Sequence, residues 1–207
     1  MRTFYDVDSR LDKIVLEKSP AAHPIVIQVT KFDDESIEDF HEDMDDAHRT
    51  GQSIIPIMIN SYGGSAYGCL GMISAIQHAK LPVATICTSK AMSAGAILFC
   101  FGTEGYRFMD SNAILMIHDV ASVTDGKIED IKADTSHLDY LNKTLYKRVA
   151  KHLGHPDNYF TDLIKHKHSH VDWYLTARDA MKHNIANHLK VPSFEVKISL
   201  DIKFCGG

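Results

Sequence analysis

The sequence predicts an α/β domain built on a parallel sheet. Short runs rich in β-branched residues alternate with helical patterns through the first 118 residues, as crossover-linked parallel strands do. Apolar residues make up 44 % of the chain and charged residues 24 %, which suffices for a packed core and is too apolar for a disordered chain. No linker, internal repeat or low-complexity stretch divides the 207 residues, a length that fits one domain.

The elements follow in order. Pro24 to Val29 reads as a short buried strand. Residues 33–46 hold nine Asp or Glu and no Lys or Arg, and Ile37, Phe40 and Met44 recur at helical spacing. That is an amphipathic helix whose acidic outer face is read as a solvated flank rather than a docking surface. Ile54 to Asn60 is the next strand, and its Pro56 marks an edge position or a strand start. Ser61-Tyr62-Gly63-Gly64-Ser65 is a turn, and residues 66–79 form a helix of small and apolar residues. A third strand is expected at Val83–Cys87, a short apolar helix at Ala94–Phe101, and a fourth strand at 113–117 that ends at His118. Residues 127–153 carry a long helical pattern through Ile128, Ile131, Leu138, Leu141, Leu145 and Val149. Gly154 stops it, Pro156 opens another helix, and Thr176–Lys182 is a short last one. From Ser193 to Phe204 polar and apolar residues alternate strictly. Residues 192–207 are therefore read as an amphipathic strand added to a domain of residues 1–191, pairing with an edge of its own sheet or with a neighbour.

Composition also excludes. A formal net charge of -5 leaves no basic surplus for phosphates, so nucleic acid is not an expected partner. No apolar run approaches the roughly 18 residues of a membrane helix. The N-terminus carries charges where a signal peptide has an apolar stretch. The expectation is a soluble, cytoplasmic protein with no membrane contact. Cys69, Cys87, Cys100 and Cys205 form no CxxC pair, and the first three lie in apolar runs, so buried thiols are expected. His166, His168 and His170 alternate, but no Cys, Asp or Glu is interleaved to complete a metal sphere. No metal site is expected.

Chemistry gathers at three places. Ala91-Met92-Ser93-Ala94-Gly95 joins a strand to a helix, which puts Ser93 beside backbone N–H groups where an acyl-transfer oxyanion would be held. Taken alone, Ser93 reads as a helix cap. Gly63-Gly64 ends the preceding strand, and Gly64 offers an N–H with no side chain in the way. His118 ends the next strand. In a parallel sheet these strand ends lie along one carboxyl edge, where ligands bind.

Together the three segments resemble the proteolytic subunits of the ATP-dependent caseinolytic (Clp) proteases. The resemblance rests on Ile59-Asn60-Ser61-Tyr62-Gly63-Gly64, Ala91-Met92-Ser93-Ala94-Gly95-Ala96 and Met116-Ile117-His118, with their spacings. A fourth match is Asp172-Trp173-Tyr174-Leu175-Thr176-Ala177-Arg178-Asp179-Ala180. It implies a crotonase-like Clp-protease fold of repeated β-β-α units, with residues 127–153 as the handle helix that interlocks two rings. It implies Ser93 as nucleophile, His118 as general base, Asp172 as its orienting acid, and the N–H groups of Gly64 and Ala94 as oxyanion hole. It also implies a serine endopeptidase that forms a homo-oligomer of one or two seven-membered rings and takes peptide substrates along residues 119–126. An AAA+ unfoldase would be the partner. The chain itself needs no cofactor, because it has no G-x-x-x-x-G-K-[ST] loop for ATP.

The chain departs from the family pattern at Tyr62, where Pro is usual, at Asp119-Val120, where Gln-Pro is usual, and at Val171, where Arg is common. These mark a divergent member. Asp119 sets a second carboxylate beside the histidine. Three other readings compete. An α/β-hydrolase elbow at Ser93 would use Asp172 and His183. An acyl-CoA enzyme of crotonase type would use the paired N–H donors alone. A catalytically silent ring subunit would assemble without cleaving.

Overall fold

A computed structural model describes residues 23–122, 125–167 and 172–195. The predicted strand at 193–204 lies outside these from residue 196 on, and Ser193 to Glu195 are in no strand. His168, His170, Val171, Val123, Thr124 and Cys205 also lie outside them.

Six strands form one sheet in the order β1 (Ile27–Val29), β2 (Ile55–Ser61), β3 (Val83–Met92), β5 (Ile114–Ile117) and β6 (Trp173–Thr176), with β4 (Arg107–Met109) also paired to β3. The first five strands pair in parallel, as predicted, whereas β6 runs antiparallel to β5. The first strand is shorter than expected. Ile25 gives its N–H to Gln52 and accepts from the same side chain, which takes the place of a ladder partner. The edge reading of Pro56 fails, because β2 lies between β1 and β3; Pro56 is instead near the strand start. Ile55 donates towards β3, to the Pro82 carbonyl. Proline's missing donor thus falls on the other side, ahead of the first β1 pair at Ile27–Ile57.

Helix α1 (Asp34–Arg49) begins with a reciprocal cap between Asp33 and Ser36. Lys31 and then Ser36 hold the Asp33 carboxyl down at about 2. Phe40, Met44 and Ala47 face the core. Each of the two large side chains gains roughly 1.5–3 kcal/mol from burial. Ser65 caps α2 (Ala66–His78) by accepting from the Gly68 N–H. The end of the Ile37 side chain packs over Gly68, where a Cβ would meet its Cδ1 at 2.3 Å.

Strand β3 is twice as long as the predicted Val83–Cys87. Its polar second half is held by tertiary pairing: Lys90, Ala91 and Met92 register with Ile114, Leu115 and Met116. It delivers Ser93 directly to α3 (Ala94–Cys100), all of which is buried. Helix α4 (Ile128–His152) is the predicted long helix. Only its second half packs inward, through Leu141, Leu145, Tyr146, Val149 and Ala150; Ile128 remains 72 % exposed. Pro156 lies in a turn before α5 (Tyr159–Asp162), which runs into a π-turn at Leu163–Lys167. Helix α6 (Ala177–Lys182) follows β6, with Thr176 as its cap.

Cys69, Cys87 and Cys100 are free and buried, and burial pushes each thiol up to about 12. The described residues contain no group of three metal-ligating side chains and no helix long and apolar enough to cross a membrane.

Candidate active site

Two parallel neighbours, β3 and β5, end at the same edge of the sheet. Met92 pairs with Met116, and the next N–H, that of Ser93, donates to the Met116 carbonyl at 2.7 Å. This register brings the residue after β3 beside the residue after β5. His118 Nε2 lies 2.8 Å from Ser93 Oγ.

Ser93 does not cap the helix that it precedes: its side chain makes no cap hydrogen bond. Its backbone has φ 54 and ψ -123, a region that non-glycine residues enter only when the surroundings hold them there. Gly63 makes room for that elbow. A Cβ there would lie 2.8 Å from Ser93 Cβ and 2.9 Å from the Met92 carbonyl oxygen, and its φ of +103 also disfavours a side chain. Gly64 is fixed from behind by Phe32, which bridges to it and accepts the Ser65 N–H at 2.9 Å.

That leaves two donors. Gly63 donates to Ser61 Oγ and Ser65 to Phe32, while the N–H groups of Gly64 and Ala94 find no acceptor among the described residues. Both residues line the cavity of about 560 Å³ that Ser93 and His118 also line. Its inner wall is apolar: Ile97 of α3, Val120, and Leu138, Leu141 and Leu145 of α4. Such a site can hold an apolar side chain beside a serine–histidine pair with two unpaired main-chain donors.

Asp172 is placed near but not joined. Ile117 pairs with Trp173, so His118 and Asp172 are the next residues past the last registered pair of β5 and β6. The Asp172 side chain is exposed and makes no hydrogen bond to His118 among the described residues. Asp119 is half-buried and accepts from the Tyr146 hydroxyl at 3.2 Å. Burial, and then the Asp119 carboxylate, push the Tyr146 hydroxyl well above its ordinary value.

His183 is not in the cavity. Its Nδ1 is 2.7 Å from the Tyr159 hydroxyl and its ring packs edge-on against Trp173, which removes it from the hydrolase arrangement with Ser93. Several cavity residues were missed in the sequence. Asn142 accepts the Val120 N–H at 2.6 Å and so ties the segment after His118 to α4. It stands four residues after Leu138 and three before Leu145, so the helical period that placed those leucines could have found it. Tyr67 and His137 line the outer part of the cavity and carried no local signal.

The Clp protease family profile matches residues 22–191. The chain is 30 % identical over 135 residues to an ATP-dependent Clp protease proteolytic subunit of Porphyromonas gingivalis, covering 65 % of this chain and 59 % of that protein. A subunit of the same name from Bacteroides fragilis is 32 % identical over 138 residues, 66 % of this chain and 64 % of the relative. Proteolytic subunit 2 of Parasynechococcus marenigrum is 36 % identical over 102 residues, 49 % of this chain and 52 % of the relative. The chain thus spans between half and two thirds of the length of these relatives. With a family match that covers most of its length, and a mixed α/β fold that fits it, this chain belongs to the Clp protease family.

Proposed function

We propose that the protein is a serine endopeptidase that cleaves unfolded polypeptides inside a chamber of its own subunits. The observation that carries this reading is the 2.8 Å contact between Ser93 Oγ and His118 Nε2 on a serine that caps nothing. Ser93 Oγ attacks the scissile carbonyl, and His118 takes its proton and later gives it to the leaving amine. The N–H groups of Gly64 and Ala94 receive the oxyanion. Asp172 orients the imidazole once the end of β6 closes on His118. The apolar cavity takes the side chain before the scissile bond, and the backbone of residues 120–122 receives the peptide as an added strand.

In its relatives' name the protease is ATP-dependent. In this reading ATP is used by a separate AAA+ unfoldase, and the chain itself works without a cofactor or metal, in the cytoplasm, as one or two seven-membered rings. The test is labelling by a fluorophosphonate with particle size measured on the same sample. The expected result is label on Ser93 in a particle near seven or fourteen times the 23.2 kDa chain. An unlabelled particle would make the chain a silent ring subunit, and an active single chain would remove the chamber.

The two carboxylates beside His118 are separable. Asp172→Asn is expected to lower kcat by about 10⁴, the size of effect seen when a triad imidazole loses its orienting acid. Asp119→Asn is expected to lower it less than about tenfold, because that carboxylate serves Tyr146. Steady-state kinetics on one peptide decides, and the reverse ranking would hand the orienting role to Asp119.

A further inference from the structure

The cavity beside Ser93 has one firm wall and one loose one. Ile97, Leu141 and Leu145 belong to the buried core. Leu138 is only half-buried, and residues 128–137 of α4 are exposed throughout. The hydrogen bonds of residues 128–140 to side chains all stay within α4, with one exception among the described residues. His137 Nε2 shares a hydrogen bond with the hydroxyl of Tyr67, seventy positions away in the chain, at the start of α2. The two rings also stack, with centroids 6.1 Å apart and planes 15° apart. Tyr67 is 62 % exposed, and both residues line the cavity, so the pair stands at its rim rather than in its floor.

We propose that Tyr67 and His137 form a clasp that sets the enzyme's preference for large apolar side chains by holding the outer half of α4 against α2. The inference rests on the peptidase reading above and extends it to substrate selection. Tyr67 follows the Gly63-Gly64 turn closely, so the clasp fastens the outer cavity wall to the helix that directly follows the turn bearing one proposed oxyanion donor. Leu138 is the next residue after His137 and Asp134 is one turn before it, and both face the cavity. Where α4 is held, Leu138 completes the apolar wall; where it swings out, a large apolar side chain loses one side of its contact. A small side chain such as alanine does not reach that wall. Tyr67 and His137 are therefore positioning residues that act through Leu138.

The experiment uses the full chain and two peptides that differ only in Leu or Ala before the scissile bond. Tyr67→Phe removes only the hydroxyl, His137→Ala removes the ring, and His137→Gln keeps a side-chain hydrogen-bonding group near the Tyr67 hydroxyl. His137→Ala and Tyr67→Phe are expected to lower the Leu-to-Ala ratio of kcat/KM roughly tenfold, with the loss in KM for the Leu peptide. Hydrogen exchange at residues 128–138 should quicken in both, and His137→Gln should restore most of the ratio. An unchanged ratio with unchanged exchange in His137→Ala overturns the proposal, as does a His137→Gln variant that behaves like His137→Ala. Exchange is read without any catalytic turnover. A wild-type Ser93 that takes no fluorophosphonate label would therefore defeat the peptidase reading alone, while the exchange comparison still decides whether the pair holds the helix.

Discussion

Ser93→Ala is expected to lose fluorophosphonate labelling and peptide cleavage together, with kcat falling on the order of 10⁶. The loss is large because the hydroxyl that His118 contacts is the only group on the elbow able to attack. Assembly and fold should persist, since the side chain makes no cap hydrogen bond. A second substitution separates chemistry from backbone. The φ of 54 at Ser93 costs of order 1–3 kcal/mol for a residue with a Cβ. Ser93→Gly removes that strain, while its looser unfolded state takes back roughly 0.5–1 kcal/mol. Ser93→Gly should therefore be inactive yet about 1 kcal/mol more stable to urea than Ser93→Ala. Equal midpoints for the two variants would mean that the elbow is unstrained, and full activity in Ser93→Ala would remove Ser93 as nucleophile.

Arg107→Ala is expected to destabilise the fold by about 2–4 kcal/mol, read by urea unfolding. Arg107 lies on β4 with its side chain fully buried. Its guanidinium donates to the carbonyls of Gly102, Asn184 and Ile185, and to Glu104 at 2.7 Å. Truncation leaves four acceptors without this donor and a void where the stem packed. Arg107→Lys should recover little, because one ammonium cannot reach acceptors spread around a planar fork. The network fastens residues 184–188 along β4, where Met109 donates to the His188 carbonyl and Asn187 donates to that of Arg107. An Arg107→Ala variant with wild-type stability would show that these contacts, and not the arginine, hold the segment.

Much of the architecture was legible because it is written locally. The acidic helix declared itself through Ile37, Phe40 and Met44, and the long helix through leucines at three- and four-residue steps. Ser93, Gly64 and His118 each sit between a strand and the element after it, and only the resemblance of their segments to the Clp proteases singled them out together. What escaped is set by partners distant in sequence. Ser89-Lys90 has no strand signal of its own and is drawn into β3 by its neighbours. Arg107-Phe108-Met109 is too short to show a period and becomes β4 only beside Thr85–Cys87. The positive φ of Ser93 follows from how Gly63, Met92 and Met116 enclose it. The Tyr67–His137 contact joins two helices that no short pattern relates.

The register around Ser93 also fixes when the serine becomes dangerous during synthesis. Ser93 leaves the ribosome well before the residues proposed to activate it. Its N–H has no Met116 carbonyl, and its hydroxyl no His118, until β5 has been made and paired. Asp172 comes later still, at the threshold of a strand that must fold back antiparallel onto β5. Such non-local pairings form slowly compared with helices. On the proposed roles, a nascent chain therefore carries a dormant protease through most of its translation. The order in which the strands are written supplies that delay.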